Sequence, residues 1–225
     1  MRTKKRNNNI ASSYFELNEL VTRVFCDTIP PSRIDVAYLF AETPDNEDSV
    51  LKAGAFLYGL VKKVAICKFK KALGYSGSEN WLRKLVAMGV PEKDIEKIPP
   101  AKNFPPSTHA EALGLVFFAR QKKWKSVYIV APPPHQLRAF ITTISEVIKE
   151  KSKLKAYSFP GLPQKWEDHI IHSQGIQKGT RSNILGAELK KIEKYYKKGD
   201  LVPAESVLAY LDARDQVGLL NKDLE

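Results

Sequence analysis

At 225 residues the chain is long enough for one large domain with an appendage, and 43% hydrophobic with 27% charged residues excludes a disordered chain. The 36 Lys and Arg against 25 Asp and Glu leave a net charge of +11, an excess that suits anionic partners without naming one. No stretch approaches the roughly 20 apolar residues of a membrane span, and no apolar run follows the basic start "MRTKKR", so the expectation is a cytoplasmic protein with no membrane segment and no secretory leader.

Residues 1–9 read as a flexible basic tail, after which "YFELNELVTRVFC" carries apolar residues at helical spacing. "RIDVAYLFAE" reads as a strand that enters the polar turn "ETPDNED". Asp48 or Ser49 is then expected to cap a helix over "VLKAGAFLYGLV". "KVAICKF" is a second strand. "GYSGSENWLRKLVAMGV" contributes a Gly/Ser turn, a cap at Ser76 or Ser78, and a helix ended by Gly89. "EKIPP" is a short third strand or extended segment. In "NFPPSTHAEALGLVFFARQKK" a proline-rich loop leads into a helix, and Ser107 or Thr108 with Glu111 has the pattern of a capping box.

"SVYIVAP" is the fourth strand, "HQLRAFITTISEVIKE" its helix, and "KLKAYSFPG" a fifth strand. The remainder, "WEDHIIHSQGI" included, reads as mostly helical. Strands and helices alternate through the middle of the chain, which predicts a three-layer α/β/α Rossmann-like fold with a mainly parallel sheet over residues 10–160. Extra helices lie at both ends, and residues 161–225 form a helical extension packed on the same domain. In such a fold the ligand site lies beyond the carboxyl ends of the strands.

Four strand-end loops then share one rim, and "APPPHQLRAF" is the most constrained of them. Its prolines limit the turn and place His135 and Arg138 in the first turns of a helix, where free backbone N–H groups would favour an anion. Arg138 paired with a nearby acid and His135 packed on the turn is the structural alternative. Glu79 and Glu111 each begin a helix and have ordinary capping roles taken singly. Convergence of both on the rim with His135 would make a pocket that shifts the histidine's pKa and holds a polar ligand.

Other chemistries fare worse. Without a GxSxG elbow, Ser107 or Ser76 with His135 is a weak hydrolase triad. No GxGxxG or GxxxxGK[ST] run supports a dinucleotide or P-loop site. Cys26 and Cys67 read as reduced, buried thiols. His169 and His172, three apart, would share a helix face, but no third ligand accompanies them, and no metal is expected.

The order of "GYSGSENW", "GVPEKDI", "STHAEAL" and "VYIVAPPPHQLRAF" resembles the YdcF-like family, the ElyC/SanA/YdcF domain, in its soluble form. Ser76, Gly77 and Glu79 stand at its Ser-Gly-x-Glu turn, and Gly89, Val90, Pro91 and Ile95 at its second motif. Thr108 and Glu111 match its Thr-x-x-Glu helix start, and His135 and Arg138 its last motif. The matched region is a little over half the chain. There are departures: "LFAETPD" replaces the family's Leu-Gly turn after the first strand, Lys52 stands where an arginine is usual, and prolines replace the Thr/Ser before the last motif. The acidic loop at Glu42 is therefore expected either to select a different ligand or to abolish binding.

The resemblance implies a strand-end pocket lined by Ser76, Gly77, Glu79, Thr108, Glu111, His135 and Arg138, to which the altered first turn is expected to add Glu42. It also implies an anionic or nucleotide-like small molecule as ligand, with S-adenosylmethionine among the candidates. Any catalysis would use His135 as general acid/base. Two other functions stay open: a basic nucleic-acid-associated protein, and a non-catalytic interaction module.

Overall fold

The computed structural model describes residues 4–219 apart from 73, 103 and 173–176, with side chains from 15 to 216 within that range. Five parallel strands form the central sheet: β1 (Ile34–Leu39), β2 (Val61–Cys67), β3 (Ile95–Ile98), β4 (Ser126–Val130) and β5 (Lys155–Ser158), in the order β3-β2-β1-β4-β5. Val36 pairs with both Lys63 and Val127, which sets the register on either side of β1. Between the strands run α2 (Pro44–Leu57), α3 (Ser78–Ala87), α4 (Thr108–Lys122) and α5 (Pro133–Lys149). The fold is three-layered α/β/α and Rossmann-like.

Period-two alternation divides the core. Val36, Tyr38, Phe40, Ala65, Cys67, Val127 and Ile129 face α4 and α5, whereas Ala37, Leu39, Val64, Ile66, Tyr128 and Val130 face α2 and α3. Helix α5 is buried along nearly its whole length. Beyond it lie α1 (Lys4–Phe25), α6 (Arg181–Lys197) and α7 (Ala204–Leu219). Thr142, Thr143 and Ser145 survive in its interior because each hydroxyl donates to a carbonyl four residues back. Among the described residues no helix is long and apolar enough to cross a membrane.

Several expected boundaries move. Helix α1 starts at Lys4, inside the segment read as a tail, whose first three residues lie outside the described ones. The second helix begins at Pro44, with Thr43 rather than Asp48 or Ser49 at its N-cap, because Pro44 is preset for the first helical position. Gly77, not Ser76 or Ser78, is the N-cap of α3. It has φ +89°, and a Cβ there would lie 3.0 Å from the Lys71 backbone nitrogen, so the turn requires glycine. Cys26 is exposed, contrary to expectation, and Cys67 is buried.

The largest correction concerns "WEDHIIHSQGI". It is not helical: His169–His172 is a strand, β6, paired antiparallel with β7 (Gln177–Thr180), and residues 173–176 between them lie outside the described ones. On a strand a spacing of three puts side chains on opposite faces. His169 is exposed and His172 buried, so the two do not share a face as a zinc pair would. The hairpin docks on the start of α2. There the Thr43 hydroxyl donates to the Ile171 carbonyl (2.5 Å) and the Ile171 amide to Asp45 (2.7 Å). Arg181, at the first position of α6, binds the Asp45 carbonyl, Asn46 and Asp168 and locks the hairpin there.

Candidate functional site

In this strand order the chain reverses direction between β1 and β4, and open α/β sheets place ligands in the crevice at that point. Glu42 follows β1 and His135 follows β4, so they meet there. The His135 Nδ1 lies 2.5 Å from Glu42 Oε1, and its Nε2 lies 3.1 Å from Thr108 Oγ1, at the start of α4. Arg138 Nη1 donates to the same Thr108 oxygen at 2.6 Å. All four side chains are buried and line a cavity of about 420 Å³.

The hydrogen-bond directions follow from the titration. Burial and the Arg138 charge lower the His135 pKa more than Glu42 raises it, so the imidazole is neutral. Burial opposes the charge on Glu42, but His172 and the bond from His135 outweigh it and hold the carboxyl at about 2. Neutral His135 therefore donates through Nδ1 to an ionised Glu42 and accepts at Nε2. Arg138 can only donate, so the Thr108 hydroxyl accepts from it and turns its own proton toward His135.

Glu111 is the second carboxyl of the cavity. Its Oε2 accepts from the Ala41 amide (3.0 Å) and the Tyr38 hydroxyl (3.3 Å) rather than closing a capping box. Ser107 is the N-cap, its Oγ accepting from the Ala110 amide at 3.2 Å. Burial dominates at Glu111 and raises its pKa to about 8, against the Ala41 bond, so it is protonated at neutral pH.

Three of the predicted residues stand elsewhere. Glu79 is exposed and paired with Lys97 at 2.8 Å, because the loop 68–77 carries the start of α3 away from the rim. Ser76 donates to Glu47 at 2.5 Å, and the same buried carboxylate receives Trp81 Nε1 (2.7 Å) and Lys84 (2.6 Å). Ser76 thus helps pin α3 to α2, Gly77 caps α3, and neither lines the cavity. The N-terminus of α5 offers no free amides either. Pro133 and Pro134 have none, and those of His135 and Gln136 donate to the Pro132 carbonyl.

The structure adds a wall that the sequence reading missed. Glu188, from α6, pairs with Arg138 Nε and accepts from His172 Nε2 (3.2 Å) and Lys191 (2.7 Å). His172 Nδ1 lies 3.4 Å from Glu42, so this imidazole stands between two carboxylates. Burial lowers its pKa, but Glu42 and Glu188 raise it further, to about 9. His135 and His172 therefore carry opposite protonation states although their ring centroids are 5.9 Å apart. The only signal in the sequence was Glu188 and Lys191 at helical spacing of three. Their docking on this cavity depends on the hairpin.

A second, mainly apolar lobe of about 260 Å³ shares Ala41, Tyr75, Ser107 and Glu111 with the first and extends to Phe69 and Pro100, with Lys68 and Lys70 also lining it. In the polar chamber Arg138, His172 and Lys191 face ionised Glu42 and Glu188, one positive charge in excess. The chamber can hold a singly charged anionic group and exchange a proton through His135. The chain matches no family model and, at any significant level, no curated protein, so its chemistry rests on this geometry.

Proposed function

We propose that this chain is a cytoplasmic YdcF-like protein that binds a small anionic molecule in the strand-end cavity and moves a proton through His135. The observation that supports this is the buried relay Glu42–His135–Thr108, open to a chamber with a surplus of positive charge. A neutral imidazole with one fixed tautomer serves as a general base, and a buried carboxylate on its far nitrogen stabilises the imidazolium that forms. The resemblance to YdcF-like proteins adds nucleotide-like ligands and S-adenosylmethionine to the candidates. Glu42 occupies the first strand-end turn, where nucleotide folds present glycines to a pyrophosphate, and its charge favours a ligand with a single anionic group.

A thermal-shift panel of nucleotides, S-adenosylmethionine, sugar phosphates and dicarboxylates tests the reading. A ligand at a hundredfold excess over its Kd stabilises by about 2.7 kcal/mol, or ~5–10 °C in a chain of this size. Lys191→Gln should diminish the shift, and His135→Asn should slow turnover by about 10²–10⁴-fold while leaving a shift. A panel in which no anion raises the melting temperature would overturn the proposal.

A further inference from the structure

We infer that Thr108 is a nucleophile, activated by His135 and Glu42, that takes up the acyl group of a carboxylic ester carrying one negative charge. The inference deepens the proposed function and rests on the same cavity. Among the described hydroxyls and thiols near the rim, Thr108 alone combines a place on the cavity wall with a bond to the base. Ser107 is occupied as the cap of α4, Ser76 is held by Glu47, and burial pushes the Cys67 thiol far up. Tyr75 lines the chamber, but burial and the nearby Glu42 and Glu111 carboxyls raise its hydroxyl too, so it stays protonated.

The surroundings suit acyl transfer. Thr108 is the first residue of a 15-residue helix, in whose first turn the amides of Ala110 and Glu111 donate to Ser107, while those of Thr108 and His109 have no acceptor within the helix and point toward its start. Glu111, one turn further on the same face, is a protonated carboxyl that can donate to an oxyanion at neutral pH. One net positive charge in the chamber matches a single carboxylate on the substrate better than a phosphate dianion next to Glu42 and Glu188.

In the first step Thr108 Oγ1 attacks the ester carbonyl carbon while its proton passes to His135 Nε2. The tetrahedral intermediate collapses by breaking the bond to the alcohol oxygen, which leaves with the proton from His135. A water then attacks the threonyl ester and gives a proton to His135. The bond to Thr108 Oγ1 breaks, the oxygen recovers the proton, and the free acid departs. Water is the only co-reactant.

The test uses p-nitrophenyl hemisuccinate with the full chain. Nitrophenolate release is followed, and acid-quenched protein is weighed intact and mapped by peptide. Expected are nitrophenolate release and one succinyl group on the peptide containing Thr108, retained in Thr108→Ser and absent in Thr108→Ala. His135→Asn should slow release by about 10²–10⁴-fold. Melting curves of each variant establish that it is folded, and the serine variant keeps the test valid if the alanine variant is not.

Acylation of Lys191 instead, or undiminished turnover in Thr108→Ala, would overturn the assignment and make His135 the base for a water. An anion from the thermal-shift panel that stabilises the protein without any acylation would remove the nucleophile and leave the binding reading standing. Neither stabilisation nor acylation would remove both.

Discussion

Arg138 shows how a residue of the right type in the right place can already be committed. Its Nε pairs with Glu188 and its Nη1 with Thr108, and both groups are buried. Its charge is thus largely spent inside the protein, and the alternative of a structural ion pair holds together with a place on the cavity wall. Removing one member of a buried pair costs about 3–5 kcal/mol, because the other is left uncompensated. Glu188 would keep His172 and Lys191, so Arg138→Ala is expected at the low end, about 3 kcal/mol. The double variant Arg138→Ala/Glu188→Gln should recover part of that loss. Urea denaturation of the two singles and the double measures the coupling, and additive losses would show that the pair is not what holds these residues. Loss of ligand binding in Arg138→Ala alone would therefore not identify an anion clamp.

At the level of elements, α4 and the segment before it form one wall of the cavity, and Gly114 sets how closely they pack. A Cβ there would lie 2.5 Å from the Pro99 carbonyl oxygen and 3.1 Å from the Ala101 nitrogen, both backbone atoms that cannot rotate away. The Ala101 amide donates to the Ala110 carbonyl in the same contact (2.8 Å). Gly114→Ala should push the segment 99–101 outward and cost about 1–3 kcal/mol despite alanine's better helix propensity. A melting temperature equal to or above wild type would show that the segment yields freely. Such packing is invisible in sequence, where Gly114 reads as a small residue within a helix.

The elements that could be read had strong local signals. Strands β1 and β4 alternate between two cores, and parallel strands deliver their loops to one edge, which is why Glu42, Thr108, Glu111, His135 and Arg138 could be grouped in advance. Glu79 failed the same reasoning because a long loop separates it from its strand end. The hairpin failed because "HIIH" is too short for its period to distinguish strand from helix. His172, Glu188 and Lys191 reach the cavity only through that hairpin, so no local pattern assigned them.

For the molecule as a whole, the two ends are clamped together away from the cavity. Arg214 holds Asp27 at 2.5 Å, and Arg23 holds Asp212 at 2.5 Å and Asp215 at 3.0 Å, so the charges of "LDARD" join α7 to α1 and its neighbouring loop. The cavity charges, in contrast, make stability depend on pH. His172 rises from 6.5 to about 9 on folding, so its contribution is complete below pH 6.5 and is lost as pH rises through 9. Glu111 rises from 4.5 to about 8, so the protein favours its protonated form, and that contribution is complete below pH 4.5 and is lost as pH rises from there through 8. The two act in the same direction. Glu42 falls from 4.5 to about 2, which gives a contribution present above pH 4.5 and lost only as pH falls through 2. The melting temperature should therefore peak near pH 4.5 and decline from there to pH 9, most steeply between pH 6.5 and 8 where both groups act, by about 2–4 °C for each kcal/mol lost. Glu111→Gln keeps a donor and an acceptor but cannot ionise, so it should remove the decline between pH 4.5 and 6.5 and leave the part between pH 6.5 and 9 that follows His172. A wild-type melting temperature constant from pH 6 to 9 would mean that neither group is held as the structure has it. The relay would then lose part of its electrostatic basis, because the burial that keeps Glu111 protonated also keeps His135 neutral and available as a base.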